Sequence, residues 1–247
     1  MSRFHIAIDQ PDEIIPRLGK PELHWKKGRS AFELSTSWMR AKGFPPSVRA
    51  MLDQTPEWRG ADLLEGIFER ETALPGRGLP SQTDLLGIVS LEDGNAILGV
   101  EGKVDEPFGE LVGEWLKGKP GEKPGEEPAA KTQRDRSKKN RAGRLATLCE
   151  LLDVDPRDVD NLHYQLFHRT CAAIYEAKQF GYRRAMMLVH SFAEMPAPPA
   201  MPACFDEFRA FAHAVGMPIT SPGFISPSKR CDEIELRLGW VSDSISI

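Results

Sequence analysis

Asp84 and the triplet Glu101-Gly102-Lys103 lie on either side of Asp93-Gly94, inside the stretch SQTDLLGIVSLEDGNAILGVEGKVD at residues 81–105. Two carboxylates and an ammonium brought together have a definite chemistry. A hard cation such as Mg²⁺ or Mn²⁺ takes oxygen ligands, commonly one or two protein carboxylates with water and substrate phosphate filling the rest of the shell. Asp84 and Glu101 supply the carboxylates, and the Gly102 carbonyl a neutral oxygen. Lys103 would stand beside the ion, orienting or deprotonating a water or stabilising a pentavalent phosphorus. Lewis acid plus positioned water is a route to phosphodiester hydrolysis. The alternative is a cross-strand Asp84–Lys103 ion pair with Glu101 solvated, an arrangement that is worth little on an open surface.

Whether these residues meet depends on the hairpin. Runs of Leu, Ile and Val flank Asp93-Gly94, a dipeptide suited to the positive φ of a tight turn. With Asp93 and Gly94 as the central residues, Glu92 faces Asn95, Ser90 faces Ile97, Leu86 faces Glu101 and Asp84 faces Lys103. Period-2 alternation then sends Asp84, Leu86, Glu101 and Lys103 to one face, with Asp84 and Glu101 diagonal to each other. The neighbours on both faces are apolar, so the cluster belongs at the end of a covered sheet. Upstream, Ser30 with Glu33 three residues later fits a capping box, and Gly43 and Pro45 end the helix. Glu33 lies off the apolar stripe of Ala31, Leu34, Trp38 and Ala41. It either caps this helix or aims a carboxylate at the hairpin cluster.

The spacing of Leu63, Leu64, Ile67 and Phe68 predicts a helix over 61–71, with Glu65, Glu69 and Glu71 on a solvated face. A short helix is expected within 108–116 and a longer one from about 161 to 180, between an Asp160 N-cap and Gly181. RRAMMLVHSF reads as a buried central strand, 205–215 as an amphipathic helix and IELRLGWVS as a last strand. Residues 117–144 are nearly devoid of apolar side chains and predict a disordered insertion. Within it, Lys131, Arg134, Arg136, Lys138, Lys139, Arg141 and Arg144 oppose the single acid Asp135, as either a solvated linker or a basic arm for a phosphate backbone. The fold class is therefore α/β, a mixed central β-sheet flanked by helices on both faces. One domain is expected over 1–247, with its core at about 26–195 and a helix-and-strand extension at 196–247.

At 247 residues, 40% hydrophobic and 28% charged with net charge −4, the chain has no global nucleic-acid footprint, so such a role must rest on a local patch. Four scattered cysteines without a CxxC pair argue against a zinc or disulfide framework and for a reducing, cytoplasmic setting. No apolar run approaches membrane-spanning length. His163 and His168 lack metal-ligand spacing, and Ser191 lacks a G-x-S-x-G turn. No phosphate-binding glycine loop occurs.

Asp84 followed by a strand carrying Glu101-Gly102-Lys103 resembles the D…ExK signature of the PD-(D/E)XK nuclease superfamily, the restriction-endonuclease-like proteins. The resemblance implies a core of one helix, a three-stranded antiparallel meander, a second helix and a further strand, and residues 30–192 supply all but the first strand of the meander. It implies that the aspartate and glutamate bind Mg²⁺ or Mn²⁺ and that Lys103 assists the attacking water. It also implies a glutamate on the first core helix, matched by Glu33, and a glutamine at the start of the helix after the ExK strand, matched by Gln165. Arg169 stands where a tyrosine often follows that glutamine, and Thr83 where proline often precedes the aspartate. The function implied is metal-dependent cleavage of nucleic acid, DNA foremost, with a homodimer as a common arrangement. The alternative is a catalytically inactive member that binds nucleic acid or a protein.

Overall fold

The computed structural model describes residues 8–104, 106–118, 128–192 and 203–245. Residues 119–127 of the expected insertion lie outside them, as do most of Phe4–Ile8, whose sequence suits a short strand, and the Pro-rich run MPAPPAMP at 195–202. A 3-10 turn at Pro11–Arg17 and a single helical turn, α1 (Pro21–His24), lead into α2 (Ser30–Ala41) and α3 (Pro46–Leu52). Three strands follow: β1 (Asp62–Thr72), β2 (Ser81–Leu91) and β3 (Gly94–Lys103). After α4 (Val112–Lys117), α5 (Pro128–Leu152) and α6 (Tyr164–Phe180) come β4 (Arg184–Ser191), α7 (Ala203–Ala214), β5 (Lys229–Cys231) and β6 (Ile234–Ser242).

The strands form one sheet in the order β1-β2-β3-β4-β6-β5. β1, β2 and β3 make an antiparallel meander, β4 and β6 run parallel to β3, and β5 returns antiparallel on the edge. Helices cover both faces, as the apolar pattern of β3 and β4 requires. On one side, α6 packs Leu166, Phe167, Ala173 and Ile174 against Leu86, Ile97 and Met187. On the other, Leu34 and Trp38 of α2 and Val48 and Met51 of α3 cover Leu85, Leu98, Val100 and Leu188. The expected C-terminal extension is built into the sheet: β6 pairs with β4, and Phe205 and Phe208 of α7 pack around Trp240. Among the described residues no helix is long and apolar enough to cross a membrane.

Two elements differ from expectation. Residues 62–72 are strand β1, the first strand of the meander, rather than a helix. Its register slips between Leu63 and Glu65, and Glu69 takes φ 54, so neither half of the strand shows clean alternation. As an edge strand it also leaves Leu64 and Glu65 exposed, and pairing with β2 overrides the helical spacing. Residues 128–144, expected as part of a disordered insertion, form the first part of α5. Leu145, Leu148, Cys149 and Leu152 bury one helical stripe and nucleate the helix. The polar segment before them, rich in Ala, Lys and Arg, extends it at small cost per residue.

β1 is tied to α6 by a buried ion pair. Arg70 Nε and Nη2 donate to the two oxygens of Glu176, each at 3.1 Å, and Thr72 Oγ1 donates to Glu176 Oε1 at 2.6 Å. Removing one partner of such a pair strands the other charge, whereas an apolar replacement of both does not. Glu176→Ala should therefore cost about 3–5 kcal/mol in urea denaturation, and the double variant Arg70→Met/Glu176→Leu should recover most of that loss. Equal loss in the single and double variants would refute this account.

Candidate functional site

The hairpin turn centres on Glu92-Asp93, with Leu91 paired to Gly94, and the ladder runs to Leu85 opposite Val100. This corrects the register read from the sequence by two residues. Because side chains alternate with period 2, a slip of two keeps every residue on its face. It also places Asp84 directly across from Glu101 instead of diagonal to it. The β2–β3 ladder stops there, and the Gly102 N–H donates to Asp84 Oδ2 at 2.8 Å instead.

Asp84 is presented by a matched fault in two strands. Leu86 and Ile88 face the α6 layer, while Leu85 and Val89 face the α2 layer. Strict alternation would send Ser81 and Thr83 to the α2 layer. Yet Ser81 Oγ lies 2.8 Å from His168 Nδ1, and a Cβ at Gly99 would meet both Ala173 and Thr83 Cγ2. β1 changes phase likewise, since Ile67 and then Arg70 and Thr72 reach the α6 side. Phe68 pairs with Leu85 and Arg70 with Thr83, so Glu69 and Asp84 occupy the rung between, where pairing fails. A positive φ at a glutamate is strained backbone, of the kind that collects at functional positions.

Around Glu101 the bonding is dense. Gln165 Nε2 donates to Glu101 Oε1 at 2.7 Å, and Lys103 Nζ lies 3.0 Å from the same oxygen. Lys103 Nζ also donates to Gln165 Oε1 at 3.2 Å and stands 4.9 Å above the Phe108 ring. Arg169 Nε donates to Glu101 Oε2, Arg169 Nη1 donates to Ser81 Oγ at 3.2 Å, and Nη2 lies 3.6 Å from Asp84 Oδ1. Glu101 is 3% exposed and Asp84 22%, so the cluster opens to solvent on the Asp84 side.

The structure thus gathers Asp84, Glu101, Gly102, Lys103 and Gln165. Glu33 sits on α2, whose Leu34 and Trp38 fill the opposite layer, and its Oε1 accepts from the Gly28 N–H at 2.8 Å. Arg29, not Ser30, is the N-cap residue, so Glu33 satisfies an amide just ahead of the helix, close to the capping reading. Two residues are added. Arg169 lies one helical turn after Gln165 on the same face, a spacing visible in the sequence. Glu69 gave no signal there, because its place depends on β1 being a strand.

The charges are unevenly shared. Burial pushes Asp84 up to about 7, with Glu101 next to it adding to the shift. Burial, and then the Asp84 charge, push Glu69 up to about 8. Burial acts on Glu101 in the same direction, but Arg169 and Lys103 outweigh it and hold Glu101 down at about 2. Lys103 is raised: burial opposes its charge, and Glu101 and Asp84 more than compensate. It is an ammonium near neutral pH, suited to stabilising negative charge rather than to taking a proton. His168 is lowered to about 3 by burial and then by Arg169, so it is neutral.

A hard ion fits the donor chemistry, which offers two carboxylates, Asp84 partly exposed and Glu101 buried beside it. Arg169 now spans those carboxylates and competes for the same oxygens. Among the described residues no group of three His, Cys, Asp or Glu is gathered for a metal. The raised acids also set a pH dependence. An acid whose pKa is raised on folding stabilises at low pH, and that stability is lost as pH rises from the unfolded to the folded pKa. Asp84 and Glu69 should therefore reduce stability between about pH 4 and about pH 8. Glu69→Gln should flatten this decline in denaturant titrations repeated across that window, since it removes one raised acid and relieves the other. Parallel curves for the two proteins would refute the charge assignment.

No curated protein and no solved structure matches the chain. Residues 7–245 match the DUF6946 family, described as a domain of unknown function, and the chain belongs to that family.

Proposed function

We propose that this protein is a metal-dependent nuclease of the PD-(D/E)XK type, hydrolysing phosphodiester bonds of nucleic acid, with DNA the expected substrate. One observation carries the reading. Gln165, on a helix more than sixty residues from the ExK strand, presents its amide to both Glu101 and Lys103. The order α2, β1-β2-β3 meander, α6, β4 supports it as well, because β1 supplies the strand that the sequence left unplaced.

In this reading Asp84 and Glu101 would hold Mg²⁺ or Mn²⁺, with the Gly102 carbonyl as a further oxygen. The ion would supply Lewis acidity and a water of lowered pKa. Glu101 is already ionised, fixed by Gln165 and by its cations. Asp84 must shed its proton before it becomes a ligand. Lys103, kept charged and pinned by Gln165, faces the negative charge that develops on phosphorus. Arg169 must turn away from Asp84 and Glu101 to leave their oxygens to the ion.

That last requirement favours a second reading. Arg169 already neutralises both carboxylates, as it would in a catalytically inactive relative that binds nucleic acid or a partner protein. The test is cleavage of single- and double-stranded DNA and RNA with Mg²⁺ or Mn²⁺, alongside calorimetric metal titration. The nuclease reading expects metal-dependent cleavage that falls by about 10²-fold or more in Lys103→Ala. It also expects metal binding to be lost in Glu101→Ala and strengthened in Arg169→Ala. Absence of cleavage, together with metal binding unchanged by Glu101→Ala, rejects it in favour of the second reading.

A further inference from the structure

Beside the carboxylate cluster, on the α6 side of the sheet, lies a cleft of about 340 Å³ that the proposed chemistry does not use. Its walls come from the loop at 77–80, Ser81, α4, α5 and the first turns of α6. Three arginines line it: Arg77 on the loop, and Arg141 and Arg144 one turn apart on α5. Among the described residues that line it, none is acidic. Trp115 and Tyr164 form part of the wall, stacked at 3.6 Å between ring centroids and 11° from parallel.

Arg144 is built into the cleft rather than waving over it. It is 5% exposed, and its Nη2 donates to the Leu79 carbonyl at 2.8 Å. Its Nε is buried without a hydrogen-bond partner, as is the Nε of Arg141. Glycines make room for both guanidinium groups: a Cβ at Gly78 would collide with Arg144, and one at Gly118 with Arg141. A buried, underused guanidinium N–H is costly in a folded protein unless an anion completes it.

The cleft also connects to the cluster. Ser81 and His168 line it, Ser81 Oγ lies 2.8 Å from His168 Nδ1, and Arg169 Nη1 donates to that Oγ at 3.2 Å. One arginine therefore touches both carboxylates on one side and the cleft floor on the other.

We propose that this cleft is a nucleotide subsite. In it, Arg141 and Arg144 bind a backbone phosphate of a nucleic-acid strand while the Trp115–Tyr164 stack supports an adjacent base. Paired cations with a flat aromatic platform are how single strands are held without sequence reading. The inference rests on the nuclease reading for the class of ligand, and it deepens that reading by giving the strand a path past Ser81 to Asp84 and Glu101. It also selects, from the basic stretch at 131–144, the two residues that line the cleft.

The test is fluorescence anisotropy with labelled single- and double-stranded oligonucleotides, in excess EDTA and over a series of salt concentrations. The proteins are the full chain, Arg141→Gln, Arg144→Gln, Trp115→Leu and, as a control at the cluster, Lys103→Ala. Thermal melting identifies any variant that fails to fold. Arg141→Gln, on the less buried residue, carries the test if Arg144→Gln unfolds. The subsite predicts about tenfold weaker binding in the arginine variants and in Trp115→Leu. In the arginine variants the salt slope on the single strand should also fall, by up to about 0.7, because the contact to one phosphate is weakened. Inorganic phosphate should compete far less well than an oligonucleotide. Affinity and slope unchanged in Arg141→Gln, with affinity unchanged in Trp115→Leu, overturn the subsite even if the protein cleaves nucleic acid. Equal competition by inorganic phosphate overturns it in favour of a free-phosphate site. Binding that depends on the cleft, in a protein without metal-dependent cleavage, keeps the subsite and removes the nuclease reading instead.

Discussion

The fold around the site depends on the burial of one carboxylate. Glu101 sits at the junction of β3 and α6 with almost no exposure, and an isolated charge there would be prohibitive. It is tolerated because every direction is answered: Lys103 and Gln165 on one oxygen, Arg169 on the other. Those partners come from β3 itself and from two successive turns of α6. The helix cannot slide or rotate on the sheet without exposing that charge, so Glu101 fixes where α6 lies. Arg70, Thr72 and Glu176 fix the same helix to β1. Two ionic contacts, rather than apolar packing alone, therefore set the orientation of the layer that carries Gln165 and Arg169.

Asp84 answers a different constraint. It lies on the one rung where β1 and β2 both change phase, opposite a glutamate with positive φ. The fault frees Asp84 from the ladder and lets it take the Gly102 N–H, which holds it against Glu101. The result is three acids, Asp84, Glu69 and Glu101, within electrostatic reach of Arg17, Lys103 and Arg169. Burial, with the neighbouring carboxylates adding to it, favours the protonated forms of Asp84 and Glu69 near neutral pH. Asp84 is 22% exposed and reaches solvent. Arg169 links this region to the arginine-lined cleft beyond Ser81, so charge placed on either side acts on one guanidinium.

Much of the frame is legible in the chain. Gly181, in the left-handed conformation at φ 73, ends α6 where expected. β4 and β6 match the apolar runs that announce them, and α2 begins at Ser30. The hairpin register read from the chain is off by two residues, because Asp-Gly suits a turn centre that Glu92-Asp93 occupies instead. β1 is hidden by its own irregularities. Leu63, Leu64, Ile67 and Phe68 mimic helical spacing because the register slip and the positive φ at Glu69 each disturb alternation. The start of α5 is hidden for the opposite reason, since it has no apolar stripe of its own and is helical by continuation from the buried turns after it.

Alternation along the chain is enough to put Asp84, Glu101 and Lys103 on one face of the hairpin. A two-residue period is robust to an even register error, so Asp84, Glu101 and Lys103 stay together in either alignment. Local rules also determined where α6 starts and stops to within a turn, and so placed Gln165 near its beginning. Which charges neutralise one another is set by packing between distant elements. Glu33 belongs to the other layer, Arg169 closes over both carboxylates, and Glu69 comes to share its charge with Asp84. Those outcomes depend on the balance of desolvation against pairing among groups far apart in the chain. That balance exists only once the sheet and α6 have taken them out of water.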